Sequence, residues 1–142
     1  MTTTYDGLPV SPTPPFGATV VVSCSSGGQR LYLLLHRAHQ GPDFEGDWAW
    51  TPPSGARFPD EDPERCAHRE LMEETGLTGP LVSVSWDNPE WAVFRLDLAT
   101  ISIVRLDDEH DRFEWVNVEE ARRRCQPAVV RKGLELAHTH VR

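Results

Sequence analysis

The spacing of three glutamates is the feature that most constrains how the middle of this chain can fold. Glu70, Glu73 and Glu74 stand at positions i, i+3 and i+4. On an α-helix this spacing places the three carboxylates on one face, about one turn apart. Anions gathered so closely repel one another and raise each other's pKa values. Such a helix face needs either a neighbouring cation or full exposure to water.

Residues on both sides of the glutamates predict where the helix begins and ends. Asp62 can cap the helix N-terminus, and Pro63 suits the first helical position. Gly76 stands where a residue in the left-handed conformation would end the helix. The sequence therefore predicts a helix over residues 63–75 with a loop on each side.

A divalent cation would remove the repulsion among the three carboxylates. Mg²⁺ takes oxygen ligands in octahedral geometry, usually one or two carboxylates together with water and substrate phosphates. The glutamate cluster thus indicates a metal site directed at a phosphate chain. The alternative is an acidic helix face that is only solvated, which is a common arrangement.

The same segment resembles the signature of the Nudix hydrolases, and each fixed position of that signature is occupied by the expected residue. These positions are Gly55, Glu61, Arg69, Glu70, Leu71, Glu73, Glu74, Gly76 and Leu77. The resemblance implies an α/β fold, namely a Nudix-type α/β/α sandwich with a mixed central sheet and a catalytic loop–helix–loop. It also implies hydrolysis of a nucleoside diphosphate linked to another group, with Mg²⁺ or Mn²⁺ as cofactor.

Roles for individual residues follow from the resemblance, position by position. Glu73 and Glu74 are the implied metal ligands, with Glu70 as a third, and Arg69 would orient one of these glutamates. A further carboxylate in such enzymes comes from a loop near the end of the sheet, and Glu109 is the matching residue. Either Glu70 or Glu109 would accept a proton from the attacking water, and the sequence leaves that choice open.

Two positions qualify this assignment. The family usually has Pro-Gly-Gly before the signature, whereas this chain has serine at position 54. The backbone carbonyl of Ser54 is the implied metal ligand, which a serine supplies as well as a glycine unless a positive φ is required. In the later loop, the carboxylates of Asp107, Asp108 and Asp111 compete with Glu109, and only the resemblance favours Glu109.

Three residues outside the signature are candidate substrate contacts. Arg37 ends a predicted strand, and its guanidinium can bind a phosphate in a bidentate manner. Trp48 and Trp50 alternate along another predicted strand, so their side chains face opposite sides. We expect one of the two in the core and the other stacked on a base or covering the pocket. Ordinary packing or a solvated surface is the alternative for each residue.

Apolar runs along the chain predict an alternation of strands and helices. Strands are expected over residues 17–23, 31–36, 48–51, 81–86, 91–98 and 113–116. Residues 101–106 alternate weakly and could continue the strand that precedes them. Further helices are expected over residues 119–124 and 128–140.

Composition favours one small domain that acts on a small molecule. The 142 residues are enough for one self-sufficient core. They predict a proline-rich arm over residues 1–16 and a single domain over residues 17–142. The arm would pack on the body or on a second subunit, which makes a homodimer compatible with the sequence. A net charge of −8 argues against a nucleic-acid binder with a broad basic surface, but not against metal-bound polyphosphates.

Cysteine usage and hydropathy indicate the compartment. The three cysteines are odd in number and far apart, which predicts free thiols in a reducing environment. No basic-then-apolar leader and no apolar run long enough to cross a bilayer is present. We therefore expect a cytoplasmic protein without a membrane partner.

Two functions from different classes remain in view. The first is hydrolysis of a nucleotide substrate, with a slight preference for a nucleoside triphosphate or a dinucleoside polyphosphate. The second is a Nudix-like module that binds a nucleotide or nucleotide sugar as a sensor without cleaving it. Inert modules tend to lose the metal-binding carboxylates, and this chain keeps all of them, which favours the hydrolase.

Overall fold

The computed structural model describes residues 7–139, and a mixed β-sheet forms the centre of the molecule. Its strands are β1 (Gly17–Ser26), β2 (Gln29–Arg37), β3 (Trp50–Thr51), β4 (Ser54–Ala56), β5 (Val82–Val84), β6 (Trp91–Leu98) and β7 (His110–Val116). The helices are α1 (Pro63–Thr75), α2 (Val118–Arg124) and α3 (Ala128–Thr139).

Strand pairing in the described residues makes the sheet mixed. The order is β3-β2-β1-β6-β5, with β4 paired to β1 and β7 paired to β2. The pair β1–β6 is parallel, whereas the other strand pairs are antiparallel. The hairpin between β1 and β2 turns at two glycines with positive φ, Gly27 and Gly28.

Alternation along β1 divides the core into two layers. Val20 and Val22 pack with residues of α1, including Leu71. Val21 points to the other face and packs with residues of α2 and α3, including Leu134. Because side chains of a strand alternate between the two faces of a sheet, helices cover both faces. The expected α/β/α sandwich with a mixed central sheet is confirmed.

Helix α1 begins and ends where the sequence predicts. The Asp62 carboxylate accepts hydrogen bonds from the backbone amides of Glu64 and Arg65. Gly76 adopts φ 74°, and its amide donates to the carbonyl of Met72. Both ends of the helix are therefore satisfied by local contacts.

Other predicted elements differ in extent. The predicted strand over residues 48–51 is shortened to Trp50–Thr51, because Trp48 has a positive φ of 68° and lies in a turn. Residues 101–106 form no strand. The predicted last helix ends at Thr139 among the described residues, and its expected final residue, His140, lies outside them.

The described part of the N-terminal arm, residues 7–16, packs on the loop that precedes α1. The Ser11 amide donates to the carbonyl of Arg57, and the Arg57 amide donates to the carbonyl of Phe16. Cys24, Cys66 and Cys125 are free and buried, as expected of reduced thiols. Within residues 7–139, none of the helices has the length and apolar character that crossing a membrane requires.

Candidate functional site

The signature loop and α1 meet at a close contact between Gly55 and Glu70. A Cβ added to Gly55 would lie 2.1 Å from Cδ of Glu70 and 2.3 Å from its Oε1. These distances are far below van der Waals contact, so any larger residue at position 55 would displace the carboxylate. Gly55 is therefore required by close approach, and the contact places Glu70 against the backbone of β4.

Arg69 holds three of the signature carboxylates together. Its Nε and Nη2 donate to the two oxygens of Glu61 at 2.8 and 3.0 Å. Its Nη1 donates to Glu70 at 2.9 Å and lies 3.4 Å from Glu73. Nη2 also donates to the carbonyl of Ala56 at 2.9 Å, which ties the guanidinium to β4. The predicted orienting contacts of Arg69 are thus present.

Glu61 is a compensated buried carboxylate. Burial by itself would raise its pKa, but the hydrogen bonds from Arg69 and from the amide of Phe58 outweigh that effect. The pKa of Glu61 is therefore held below its usual range. This residue stays ionised and locks the loop to α1.

Glu74 is also buried, but its pKa is shifted upward rather than downward. Its exposed fraction is 2 %, and its Oε1 accepts a hydrogen bond from the Ser54 amide at 3.0 Å. Burial is the largest cause of a pKa well above the usual range, and the neighbouring charge of Glu70 adds to it. Arg69 pairs with Glu61, Glu70 and Glu73, and none of the described arginine or lysine side chains forms an ion pair with Glu74. The carboxylate is therefore poised to gain from a cation.

Glu70 and Glu73 differ in exposure. Burial raises the pKa of Glu70 to about 7, and the charge of Glu73 adds to this rise while Arg69 opposes it. The Glu73 side chain is 54 % exposed and lies on the outer side of Arg69. The helix thus presents a buried pair, Glu70 and Glu74, and one solvent-facing carboxylate beside it.

The loop before β7 brings further ligand groups to Glu74. Side-chain ligand atoms of Glu74, Asp107 and His110 lie within 4.8 Å of one another. Nδ1 of His110 lies 2.8 Å from Oδ1 of Asp107. Glu109 lines the same cavity, and its charge also raises the pKa of Glu74. Asp111 instead lies 2.8 Å from Nδ1 of the buried His36.

The sequence offered several loop carboxylates as the further metal ligand. The structure favours Asp107 and Glu109, which line the cavity, over Asp111, which contacts His36. A ligand atom of Asp107 lies within 4.8 Å of one of Glu74, whereas Glu109 is an exposed residue that lines the cavity. Sequence reasoning singled out Glu109 by resemblance and gave Asp107 no preference. Proximity between α1 and this loop depends on the tertiary fold, and local sequence carries no signal for it.

Ser54 stands in ordinary backbone geometry. Among the described non-glycine residues, only Trp48 and Asp60 have a positive φ. Ser54 begins β4 and pairs with Thr19 of β1. A serine therefore fits this position without strain, and its carbonyl stays available as a candidate ligand.

A cavity of about 920 Å³ opens over these carboxylates. Its acidic part is lined by Glu70, Glu73, Glu74, Asp107, Asp108 and Glu109. Its apolar part is lined by residues that include Leu8, Val10, Phe16, Trp48, Trp86 and Trp91. The cavity thus offers an anionic floor for a cation and an apolar wall for a flat group.

Two of the three predicted substrate contacts line this cavity. Arg37 and Trp48 both do so, and the guanidinium of Arg37 lies 5.8 Å from the centre of the Trp48 ring. Nε of Arg37 is buried and has no hydrogen-bond partner among the described residues. The Trp48 side chain is 43 % exposed.

Trp50 is a correction to the predicted contacts. Its exposed fraction is 2 %, and it packs in the core with Ala49 and Cys125 rather than lining the cavity. Its indole Nε1 donates to the carboxylate of Glu45. Trp48 lies in a turn with a positive φ of 68°, whereas Trp50 belongs to the buried strand β3. Trp50 is therefore a core residue.

Trp86 and Trp91 also line the cavity. The Trp86 Nε1 donates to the carbonyl of Trp91 at 2.7 Å, and the Trp91 Nε1 donates to the Thr19 hydroxyl at 2.8 Å. Both indole N–H groups are satisfied inside the protein, so the rings are held in fixed orientations. The signal available in the sequence was their position on both sides of a predicted turn.

The donor set fits a hard divalent cation. The carboxylates of Glu74 and Asp107 converge with the imidazole of His110, and further carboxylates, those of Glu70, Glu73 and Glu109, line the same cavity. Oxygen-rich sites of this kind suit Mg²⁺ or Mn²⁺. The residues present are therefore chemically compatible with the metal that the signature implies.

A family model described as the NUDIX domain matches residues 14–136. The match covers most of the chain and includes the loop, α1 and the strands described above. The chain therefore belongs to the NUDIX domain family, and the resemblance inferred from residues 55–77 is confirmed.

Known proteins resemble the chain over different spans. A Myxococcus xanthus protein named octanoyltransferase is 32 % identical over 131 residues, which cover 84 % of this chain and 36 % of that protein. The pig asymmetrical bis(5'-nucleosyl)-tetraphosphatase is 29 % identical over 110 residues, which cover 68 % of this chain and 69 % of that enzyme.

A solved structure of a Caenorhabditis elegans Ap4A hydrolase binary complex superposes with a TM-score of 0.65. It is 23 % identical, and the match covers 87 % of this chain and 94 % of that chain. At this identity the likeness supports the fold. The chain spans 36 % of the length of the octanoyltransferase. The activity of that protein is therefore not transferred to this chain, and activity is inferred from the residues of the chain itself.

Proposed function

We propose that this chain is a divalent-metal-dependent pyrophosphohydrolase that cleaves a nucleoside diphosphate linked to another group. The observation that carries the proposal is the buried Glu74, whose pKa is raised well above its usual range beside Glu70, Asp107 and Glu109. A carboxylate in that position costs stability until a cation joins it. The protein retains this cost at the floor of an open cavity, where a metal-bound phosphate chain can reach it.

Glu73, Glu74 and the Ser54 carbonyl are the proposed metal-binding groups, with Glu70 and Asp107 close to them. When bound, Mg²⁺ or Mn²⁺ would polarise the pyrophosphate oxygens and acidify a water for in-line attack. The residues of the chain supply the remaining functions. Arg69 fixes the Glu70 carboxylate by its hydrogen bond of 2.9 Å and is proposed to keep it aligned.

Glu70 is the proposed acceptor of the water's proton. Burial raises its pKa to about 7, which is close to the value that suits a general base near neutral pH. Glu109 is the alternative, because it lines the same cavity. Comparing the pH profiles of kcat in Glu70→Gln and Glu109→Gln tests the assignment, because only the variant that lacks the base loses the fall in kcat on the acidic side.

A dinucleoside polyphosphate is the proposed substrate, with a nucleoside triphosphate as the nearest alternative. The similarity to the pig asymmetrical bis(5'-nucleosyl)-tetraphosphatase supports this choice. The combination of an acidic floor and a wall with Trp48, Trp86 and Trp91 also supports it, because phosphates and bases need different surroundings. Arg37 is proposed to bind a phosphate from the edge of the cavity.

The test is a hydrolysis assay with diadenosine tetraphosphate, ATP and ADP-ribose, each with Mg²⁺ or Mn²⁺. Reaction in ¹⁸O-labelled water identifies the phosphorus that is attacked. We expect metal-dependent cleavage of a phosphoric anhydride bond, strongest for the dinucleotide. Saturable nucleotide binding without cleavage of any compound would contradict the proposal and support the sensor module instead. We place this activity in the cytoplasm, where free thiols such as those observed persist.

A further inference from the structure

Arg57 is a buried arginine that the proposed reaction does not use. It lies in the loop between β4 and α1, and its exposed fraction is 7 %. Its Nε donates to the carbonyl of Pro15 at 2.7 Å, and its Nη2 donates to the carbonyl of Thr13 at 2.9 Å. Its Nη1 donates to the carbonyl of Glu61 at 2.5 Å. One side chain therefore joins the N-terminal arm to the signature loop.

The backbone at this position reinforces the connection. The Ser11 amide donates to the Arg57 carbonyl at 2.7 Å, and the Arg57 amide donates to the Phe16 carbonyl at 2.8 Å. A buried guanidinium is costly unless its donors are satisfied. If the arm moved away, the carbonyls that satisfy Arg57 would be lost. Arg57 therefore stabilises the docked position of the arm.

The docked arm presents apolar side chains to the cavity. Leu8, Val10 and Phe16 line it, next to Trp91, which contacts the start of β1. The amide of Phe16 also donates to the carbonyl of Glu90 at 2.7 Å, which closes the arm against the turn before β6. We call these four cavity-lining residues the arm wall: Leu8, Val10, Phe16 and Trp91.

The arm wall is apolar, whereas the part of the cavity lined by Glu70, Glu73 and Glu74 is acidic. The acidic floor attracts a metal-bound phosphate chain, whereas the arm wall offers apolar surface to an uncharged group. A nucleoside polyphosphate carries both kinds of group on one molecule. Its base and ribose can cover apolar side chains, and this burial contributes to affinity in proportion to its area.

We propose that the arm wall binds the nucleoside part of the substrate and that Arg57 is the positioning residue that holds it in place. This inference rests on the proposed nucleotide substrate. Arg57 acts through the arm and does not touch the phosphate chain. Removal of Arg57 therefore lowers affinity for the nucleoside and leaves affinity for the phosphate chain unchanged.

The test compares two ligands that resist hydrolysis and differ only in the nucleoside. The first is α,β-methylene-ADP, and the second is methylenediphosphonate, both titrated by calorimetry in the presence of Mg²⁺. For Arg57→Ala we expect about tenfold weaker binding of α,β-methylene-ADP. We expect the binding of methylenediphosphonate to stay within about twofold of wild type, because the acidic floor is intact. Amide hydrogen exchange over residues 7–16 should become faster in the same variant.

Matched variants separate positioning from general damage. Arg65→Ala removes an exposed arginine from α1 and should bind both ligands like wild type. Leu8→Ala trims the arm wall without removing a buried charge, so it keeps the test valid if Arg57→Ala does not fold. It should weaken the binding of α,β-methylene-ADP alone. Arg57→Lys keeps the charge and restores part of the affinity.

Equal weakening of both ligands in Arg57→Ala would overturn the proposal, because it would place the effect at the phosphate site. Unchanged binding of α,β-methylene-ADP in a folded variant would also overturn it, as would failure of wild type to bind that ligand. The measurement is independent of turnover. Absence of hydrolysis by wild type would therefore count against the proposed function and leave the binding comparison intact.

Discussion

Glu61 and Glu74 are two buried carboxylates of one loop–helix unit, and their surroundings are opposite. Glu61 receives two hydrogen bonds from Arg69, which hold its pKa below the usual range against the effect of burial. Glu74 receives a hydrogen bond from the Ser54 amide, and burial beside Glu70 raises its pKa well above the usual range. Glu61 is paired with an arginine, whereas Glu74 has no paired cation among residues 7–139.

This difference separates a structural role from a functional one. The compensation of Glu61 is complete before any ligand arrives, so its contribution is to fix the loop and Arg69. Among the described residues no cation pairs with Glu74, so its charge is relieved by a proton or by a bound cation, and the cavity above it gives a cation access. The comparison thus locates the metal requirement at one carboxylate rather than at the acidic cluster as a whole.

The largest expected effect is on turnover in Glu74→Gln. This change keeps the size of the side chain and removes the charge that a metal would need, so kcat should fall by about a thousandfold or more. Steady-state kinetics with Mg²⁺ measures the loss. Glu64→Gln, at an exposed position in the first turn of α1, is the matched control and should retain wild-type rates. A Glu74→Gln enzyme with near-normal turnover would show that this carboxylate is no metal ligand.

Stability should change in opposite directions when the two carboxylates are altered without metal. Glu61→Gln breaks a buried ion pair and leaves Arg69 partly uncompensated, so it should destabilise the fold by about 3 kcal/mol. Glu74→Gln replaces a buried carboxyl that is costly to ionise, so it should stabilise the metal-free protein at pH values where that carboxyl has lost its proton. Urea denaturation with EDTA present compares the two variants. If both variants lost stability, the proposed difference between the surroundings of Glu61 and Glu74 would be wrong.

The pH dependence of the free energy of unfolding, measured without metal, tests the raised pKa of Glu70, the neighbour of Glu74. Burial raises the pKa of Glu70 from 4.5 to about 7, so the folded state holds a proton that the unfolded chain releases between these values. The free energy of unfolding should therefore fall as pH rises through that window, by about 2 kcal/mol between pH 5.5 and 7. Denaturation at a series of pH values in EDTA measures the slope. A rise in stability over the same range would contradict the assignment.

A smaller effect is expected at the edge of the cavity. Arg37→Ala should raise KM by about tenfold and leave kcat nearly unchanged, because a phosphate contact that is equal in ground and transition states affects binding alone. Arg37→Lys keeps a positive charge and should recover part of the loss. Steady-state kinetics with the preferred substrate provides the measurement. An unchanged KM in Arg37→Ala would mean that this guanidinium does not contact substrate.

Local chemistry explains which features were predictable from the sequence. The limits of α1 depend on Asp62, Pro63 and Gly76, and each acts on its immediate neighbours. The glutamate spacing fixes a shared helix face by helical geometry alone. These features are set within a few residues, so the sequence alone was sufficient to predict them.

Features that depend on tertiary contacts were not predictable. Strand alternation assigned Trp48 and Trp50 to opposite faces of one strand, but a positive φ at Trp48 places that residue in a turn instead. The approach of Asp107 to Glu74 joins segments far apart in the chain. Arg57 holds the arm through backbone carbonyl acceptors, which every residue carries. The side chains of the arm therefore give no indication of this contact in the sequence.

The most direct test of the metal requirement at Glu74 is a titration of Mn²⁺ at pH 8, followed by the decrease in the electron paramagnetic resonance signal of the free ion. Wild type and Glu61→Gln should both take up Mn²⁺, whereas Glu74→Gln should bind it at least about tenfold more weakly. Equal uptake by wild type and Glu74→Gln, or no uptake by wild type, would contradict the account.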